Sequence, residues 1–342
     1  MNQVAKIVAK SHGSRSATTR RVRVFEEAHS LLKRHVSSDH QLQLLDTLLS
    51  GLEKESHREP FLPFIDIPLL VYAALRGNEE DAVPLAAATT LLYLGIDTLD
   101  DLADGDRPET WNGYGLSEIN LAATTLLSTL PQLILSELPV SPAIRLSLLK
   151  HLATGLLAMS AGQQADIAHT GKSGVSAEAV EKSVMEKSGE ELALFAAMAA
   201  LLAEAPPDLV EKYSAFGRSA GTAGQLASDC HDLFQAEVSR DLRQETRTLP
   251  IALYLEKKPE ADRAVLLELL QKKNAGNGTL QRIRDLFHES GLLRITSFIV
   301  ELHCQRATTA LDLAGPLEPA RSELFEAINH ISFYPNPKGE TL

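Results

Sequence analysis

Three aspartates, Asp100, Asp101 and Asp104, close an otherwise apolar stretch that reads Gly95-Ile96-Asp97-Thr98-Leu99-Asp100-Asp101-Leu102-Ala103-Asp104-Gly105-Asp106. On a helix, residues three and four apart share a face, so these carboxylates converge, with Asp97 one turn earlier on the same side. Like charges so placed cost roughly 0.2–0.5 kcal/mol per pair. Aspartate is also a poor former of helix interiors. A chain that accepts both penalties after an apolar run points to metal chemistry. Mg²⁺ takes one or two carboxylates and leaves its other positions to water and substrate phosphate. A solvated acidic helix end is the plainer alternative.

A second polar face shifts the balance toward metal. Gln225, Asp229 and Asp232 follow one another at i, i+4 and i+7, with Glu237 further along. His231 beside Cys230 invites a metal-site reading, but adjacent helical residues point in different directions, so His231 is taken as structural. Two such faces on separate, otherwise apolar helices suggest a metal–diphosphate cavity in the core of a helical bundle.

The elements that must hold these residues are helical throughout. Leu and Ala dominate the apolar set, and the β-branched and aromatic runs typical of strands are scarce. Helical spacing recurs over 24–32 and 42–49. Pro60, Pro63 and Pro68 interrupt the chain before a helix expected to open at about Pro68. Ala82 to Ala103 then forms a long, mostly apolar helix. Further helices are expected at roughly 115–136, 142–170, 177–204, 207–238, 248–256, 261–272, 279–289, 292–313 and 318–331. Ser176 is placed to cap one of them. With no repeat and no low-complexity linker, the expectation is all-α: a basic arm over 1–24 and a single helical domain over 25–342.

Composition narrows the function. The 342 residues are 44% hydrophobic and 23% charged, as in a globular protein with a sizeable core. A net charge of −12 argues against broad nucleic-acid binding, and it demands a cation for any phosphorylated substrate. Cys230 and Cys304 are too far apart to suggest a framework of disulfides, and two reduced thiols in a cytoplasmic protein is the expectation. Charges interrupt every long Leu/Ala stretch, so no bilayer span is expected. Lys6, Lys10, Arg15, Arg20, Arg21 and Arg23 precede any acid. That composition suits either a transit segment or a disordered basic arm, the latter being the expectation.

The motifs resemble those of the isoprenyl diphosphate (polyprenyl) synthases. Asp100-Asp101-Leu102-Ala103-Asp104 is similar to that family's first aspartate-rich motif, and Pro68 through Gly77 to the helix before it. Gly162-Gln163-Gln164-Ala165-Asp166 resembles its G-Q-x-x-D segment, Lys187-Ser188-Gly189 its K-T-G segment, and Gln225 through Asp232 its second aspartate motif. Asp241 through Pro250 resembles D-L-x-x-G-K-x-T-L-P.

The resemblance implies an isoprenoid-synthase bundle around a central apolar cavity, and a homodimer. Asp100, Asp101, Asp104, Asp229 and Asp232 would ligate Mg²⁺. Lys187 would touch an allylic prenyl diphosphate. Gln163, Asp166, Gln225, Arg247, Tyr93, Gly95 and Ile96 would line the substrate site. Gly95, one turn before Asp100, could leave room for a C15 or C20 tail, or could serve close helix packing.

Departures from the family pattern are equally specific. The basic loop that serves isopentenyl diphosphate corresponds here to Phe64-Ile65-Asp66-Ile67-Pro68 or Ser56-His57-Arg58-Glu59-Pro60. The usual histidine is Tyr93, the paired downstream arginines shrink to Arg107, the lysine before T-L-P is Thr246, and the first acid of the second motif is Ser228. The allylic ionisation site is thus expected to be kept and the isopentenyl diphosphate site lost. Three functions fit: a prenyltransferase with an unusual acceptor, a terpene cyclase, or a non-catalytic partner subunit of a synthase. The first is favoured.

Overall fold

A computed structural model describes residues 15–57, 59–272 and 277–334, and among these the chain forms helices and no strand. Lys6, Lys10 and Arg58 lie outside the described residues. The chain gathers into two compact units. One comprises Met1–Thr154, Leu194–Ser214 and Asp312–Leu324; the other comprises Gly155–Ala193, Ala215–Leu311 and Phe325–Leu342.

In the first unit, α1 (Arg15–His35), α2 (Asp39–Ser56) and α3 (Pro63–Arg76) precede α4 (Val83–Asp104), which bears the first aspartates. Next come α5 (Leu116–Thr124), a π-helical turn (Thr125–Thr129) and α6 (Leu130–Glu137). Helix α4 packs against α1, α3, α5 and α6, and its residues from Leu85 to Gly95 are all buried. This central position accounts for its apolar sequence. Two stretches, Glu80–Asp104 and Leu116–Glu137, are long and apolar enough to cross a membrane by length and composition, contrary to expectation. For the first, burial of 72% of the window marks a core helix.

Two expectations for this unit shift. Helix α1 starts at Arg15, well inside the expected arm, and long-range ion pairs hold it. Arg20 Nε donates to Glu79 Oε2 at 2.6 Å, and its Nη atoms grip both Glu323 oxygens at 2.5 and 2.9 Å. Arg23 pairs with Glu79 and Glu80. Helix α3 opens at Pro63 rather than Pro68, because a proline at the first helical position gives up an N–H that would be unpaired anyway. Pro68 therefore lies inside the helix and cannot donate to the carbonyl of Phe64, four residues back. That carbonyl accepts from Thr89 Oγ1 of α4 instead, at 2.7 Å.

The second unit is built on the later part of α7 (Pro142–His169), then α8 (Ala177–Val184), a second π-helical turn (Met185–Gly189) and the start of α9 (Glu190–Leu202). It continues with most of α10 (Pro207–Phe234), α11 (Arg240–Gln244), α12 (Leu249–Lys257), α13 (Glu260–Gln271), α14 (Asn277–Ser290) and most of α15 (Leu292–Ala314), and ends in the later part of α16 (Ala320–Ile331). Ser176 does cap α8, its side chain accepting from Ala179 N. Helix α10 stops four residues before its expected end, leaving Glu237 exposed beyond it.

Candidate active site

The first aspartates occupy the final turns of α4. Gly105 ends the helix in a left-handed conformation (φ 74°), its N–H donating to Asp101 O. The carbonyl end of a helix carries partial negative charge, so these acids oppose the helix dipole as well as one another. No basic residue stands in that last turn. Asp101 is buried, Asp97 and Asp100 half-buried and Asp104 exposed, so the carboxylates step from core to solvent. An incoming cation would relieve both sources of repulsion.

Residues upstream serve packing. Tyr93 is buried and stacks on Phe64, with ring centroids 4.2 Å apart and 17° between the planes. Ile96 is half-buried. A Cβ on Gly95 would lie 2.7 Å from Leu127 N and 3.1 Å from Ala123 O. The glycine admits the first π-helical turn, and backbone fills the space considered for a prenyl tail. Of the two readings of Gly95, close helix packing is the one observed.

On the connection between α2 and α3, Ser56 and Glu59 are buried, as is Asp66 in the first turns of α3. Asp66 Oδ2 accepts from Leu62 N at 2.6 Å, and Arg21 Nη2 lies 3.7 Å from the same oxygen. Arg21 Nη1 also donates to Glu59 O. Burial, offset in part by Arg21 and the Leu62 N–H, pushes the Asp66 carboxyl up to about 6.

The second unit draws its acids inward. Asp229 and Asp232 on α10 are 7% and 1% exposed. Gln225 Nε2 donates to Asp229 Oδ1 at 2.8 Å, and Ser188 Oγ donates to Gln225 Oε1 at 3.2 Å. Burial, with the charges of Asp166 and Asp232, pushes the Asp229 carboxyl up against the hydrogen bond from Gln225 and the charge of Lys187. Asp241 is raised well above its ordinary value by burial and by Asp229, Asp232 and Asp166. Lys187 Nζ lies 3.9 Å from Asp166 Oδ2 at the edge of this group. Gln163, on the same helix as Asp166, is half-buried, and its Oε1 accepts no hydrogen bond.

Glycines set Lys187 in place. A Cβ on Gly162 would sit 2.5 Å from Lys187 N, and one on Gly221 would collide with Ser188 O. Helices α7 and α10 thus close on the second π-helical turn from two directions, and that turn carries Lys187, Ser188 and Gly189. Such one-turn π segments are often found at functional sites.

Asp232 has a second duty. Its carboxylate accepts from Ser239 Oγ, from Arg240 N at 3.0 Å and from Asp241 N at 3.2 Å, so it caps the start of α11. Ser239 is the residue before that helix, and its Oγ in turn accepts from Leu242 N at 3.1 Å. Arg247 stands outside the charges acting on Asp229 and Asp241; its Nε donates to Lys172 O. The sequence reading did not name Asp241, Ser188 or Ser239 as site residues. Asp241 was within reach, because it opens one of the matched segments and is acidic.

Whether these residues suit magnesium turns on the crowded acids. Among the described residues, no three His, Cys, Asp or Glu side chains stand together closely enough to hold a metal unaided. Water and substrate phosphate would therefore have to complete the shell, as is usual for this ion. The buried carboxylates that repel one another around Asp229 fit a cation of that kind.

Comparison with known proteins gives a consistent answer. A (2E,6E)-farnesyl diphosphate synthase of Mycobacterium tuberculosis is 26% identical over 281 residues, covering 77% of each chain. A geranylgeranyl pyrophosphate synthetase structure from Pyrococcus horikoshii superposes with a TM-score of 0.80 over 97% of this chain and 98% of that one, at 19% identity. A polyprenyl synthase from Caulobacter crescentus, complexed with calcium and isoprenyl diphosphate, gives 0.72 over 96% and 100%, at 18% identity. Residues 67–287 match the family described as Polyprenyl synthetase, which is more than half of the chain, and the protein belongs to that family.

Proposed function

We propose that the protein ionises an allylic prenyl diphosphate in a Mg²⁺-dependent reaction and transfers the prenyl group to an acceptor other than isopentenyl diphosphate. The ionisation half rests on the gathering of Asp166, Asp229, Asp232 and Asp241, with Lys187 beside Asp166. Asp100, Asp101 and Asp104 in the first unit would hold one Mg²⁺, and Asp229 in the second would help to hold another. Magnesium bound there would act as a Lewis acid on diphosphate oxygens as the allylic C–O bond breaks. Lys187 would add a positive charge to the leaving group, held in reach by the glycine-backed π-helical turn. Gln225, tied to both Ser188 and Asp229, would keep that carboxylate oriented. Asp232 would act chiefly by capping α11, which brings Asp241 toward the other acids.

The acceptor half rests on the α2–α3 connection. Arg21, a described cation beside it, is already engaged by Asp66 and Glu59, and Tyr93 is stacked into the core. Among the described residues, a second diphosphate would meet Glu59 and Asp66 there, with Arg21 already engaged. The Caulobacter structure, with calcium and isoprenyl diphosphate, supports divalent-metal diphosphate chemistry on this fold. A second copy of the chain, giving a homodimer, would cover the exposed Leu116, Leu121 and Leu133 of the α5–α6 stretch.

Product analysis with farnesyl and geranylgeranyl diphosphates, with and without isopentenyl diphosphate, tests both halves. Diphosphate release should require Mg²⁺ and should not increase when isopentenyl diphosphate is added. Longer prenyl diphosphates would refute the acceptor claim. Terpene hydrocarbons or alcohols would reassign the chain as a cyclase, and no turnover would return it to a partner subunit.

A further inference from the structure

A cavity of about 180 Å³ lies in the second unit, and none of Asp166, Asp229, Asp232 and Asp241 lines it. Leu242, Leu267 and Leu270 form its apolar walls, and Thr246, Glu245 and Arg247 its polar ones. Arg247 is only 5% exposed. Among the described residues it makes one hydrogen bond, from Nε to Lys172 O, and no ion pair. Its two Nη groups make no hydrogen bond among the described residues, and the residue lines the cavity. A guanidinium removed from water with one hydrogen bond and only the charge of Glu245 to offset its burial can still take a further anion. Burial lowers its pKa although Glu245 offsets part of the effect. Glu245 is itself exposed and holds a left-handed backbone (φ 60°), an uncommon conformation for a non-glycine residue. Its carbonyl accepts from Gly171 N at 3.0 Å, which fixes the rim of the cavity.

We infer that this cavity is a binding site for a small carboxylate with a compact apolar body, its charge held by the Nη groups of Arg247 and its body by Leu242, Leu267 and Leu270. The planar guanidinium matches a carboxylate with two parallel hydrogen bonds. The Thr246 hydroxyl adds a further polar contact. The site is distinct from the metal-binding acids but joined to them along the chain. Leu242 lines the cavity, while its neighbour Asp241 on α11 feels Asp229, Asp232 and Asp166. Occupancy therefore steadies a helix that serves both.

Calorimetric titration of the full chain with sodium benzoate, sodium 3-methylbutanoate and sodium acetate tests the inference without reference to enzymatic activity. A ligand of this size should bind with a Kd of roughly 1 mM, given the usual energy per heavy atom. Benzoate and 3-methylbutanoate should saturate, and acetate should bind at least about tenfold more weakly for want of an apolar body. Amide exchange across 239–248 should slow in their presence. Arg247→Gln should weaken binding by at least about tenfold. Leu267→Phe, which fills the floor and leaves the guanidinium intact, should do the same should Arg247→Gln fail to fold. No saturable binding by the unaltered chain, equal affinity for acetate, or binding that survives both substitutions would overturn the assignment.

Discussion

On α4 the acids step outward from Asp101 to Asp104, whereas around Asp229 they sit in the interior with Lys187 at their margin. The same residue type thus meets opposite problems. The outer set can be solvated when no metal is bound, so its cost is mutual repulsion and an unfavourable dipole. The inner set is desolvated as well, so Asp229 and Asp241 hold protons more tightly than ordinary carboxyls do. Moreover, Asp232 is already committed to the N–H groups of α11. Under the proposed function the outer acids would receive one ion, while the inner ones would divide between receiving another and building the local structure.

That contrast can be broken most sharply by substitution. Asp101→Ala and Asp229→Asn are each expected to lower Mg²⁺-dependent diphosphate release by roughly 10²–10³-fold, the usual cost of removing one stabiliser of developing charge. Neither should lower thermal stability, since each removes a crowded charge. Asp232→Ala should differ by costing about 1–2 kcal/mol through the lost cap, read as a lower urea midpoint. An unchanged midpoint would show that Asp232 is not a structural residue.

The two π-helical turns sharpen the comparison. Gly95→Ala and Gly162→Ala each push a Cβ into backbone, and each should destabilise by about 1–3 kcal/mol. Only Gly162→Ala displaces Lys187, so only it should also raise KM for the allylic diphosphate. A change in product length from Gly95→Ala with unaltered stability would contradict the packing role assigned to that glycine.

Stability should also change with pH, and with opposite sign in the two units. Asp66 has a folded pKa of about 6, above its unfolded value of 3.8, so its contribution is fully favourable below 3.8 and is lost as pH rises toward 6. The change is on the order of 3 kcal/mol. His303, buried at 3% exposure against Glu181 Oε1 at 2.9 Å, has its pKa lowered by burial despite that partner. Its contribution is present above the unfolded 6.5 and is lost as pH falls. Urea denaturation of the wild type, Asp66→Asn and His303→Gln from pH 4 to 8 should show Asp66→Asn gaining on the wild type between 4 and 6. His303→Gln should gain on it below 6.5. Slopes of one sign would discard the pairing.

Much of this was legible from residue order. The long helices fall close to where apolar spacing put them, α4 ends at the glycine that follows Asp104, and Ser176 caps α8. What escaped depended on partners far away in sequence. Arg20 resembles part of a loose basic tail until Glu79 and Glu323 stand beside it. The π-helical turns carry no residue signature of their own; they arise where Gly95 and Gly162 on other helices let them approach. Asp232 looked purely like a ligand because nothing local announces that Ser239, Arg240 and Asp241 fold back to it. Cys230 and Cys304, by contrast, are free, in keeping with the reduced thiols expected; both are also buried, and burial pushes the Cys304 thiol up to about 12.

Pro68 has a consequence beyond α3 itself. By withholding its own hydrogen, the ring leaves the Phe64 oxygen open to the Thr89 hydroxyl, so a flaw within one helix becomes a tether to its neighbour. The tether lies one turn below the Tyr93 ring and two below Asp97, on the helix that presents the acids. Restoring a regular peptide there would make α3 a better helix and a poorer brace for α4.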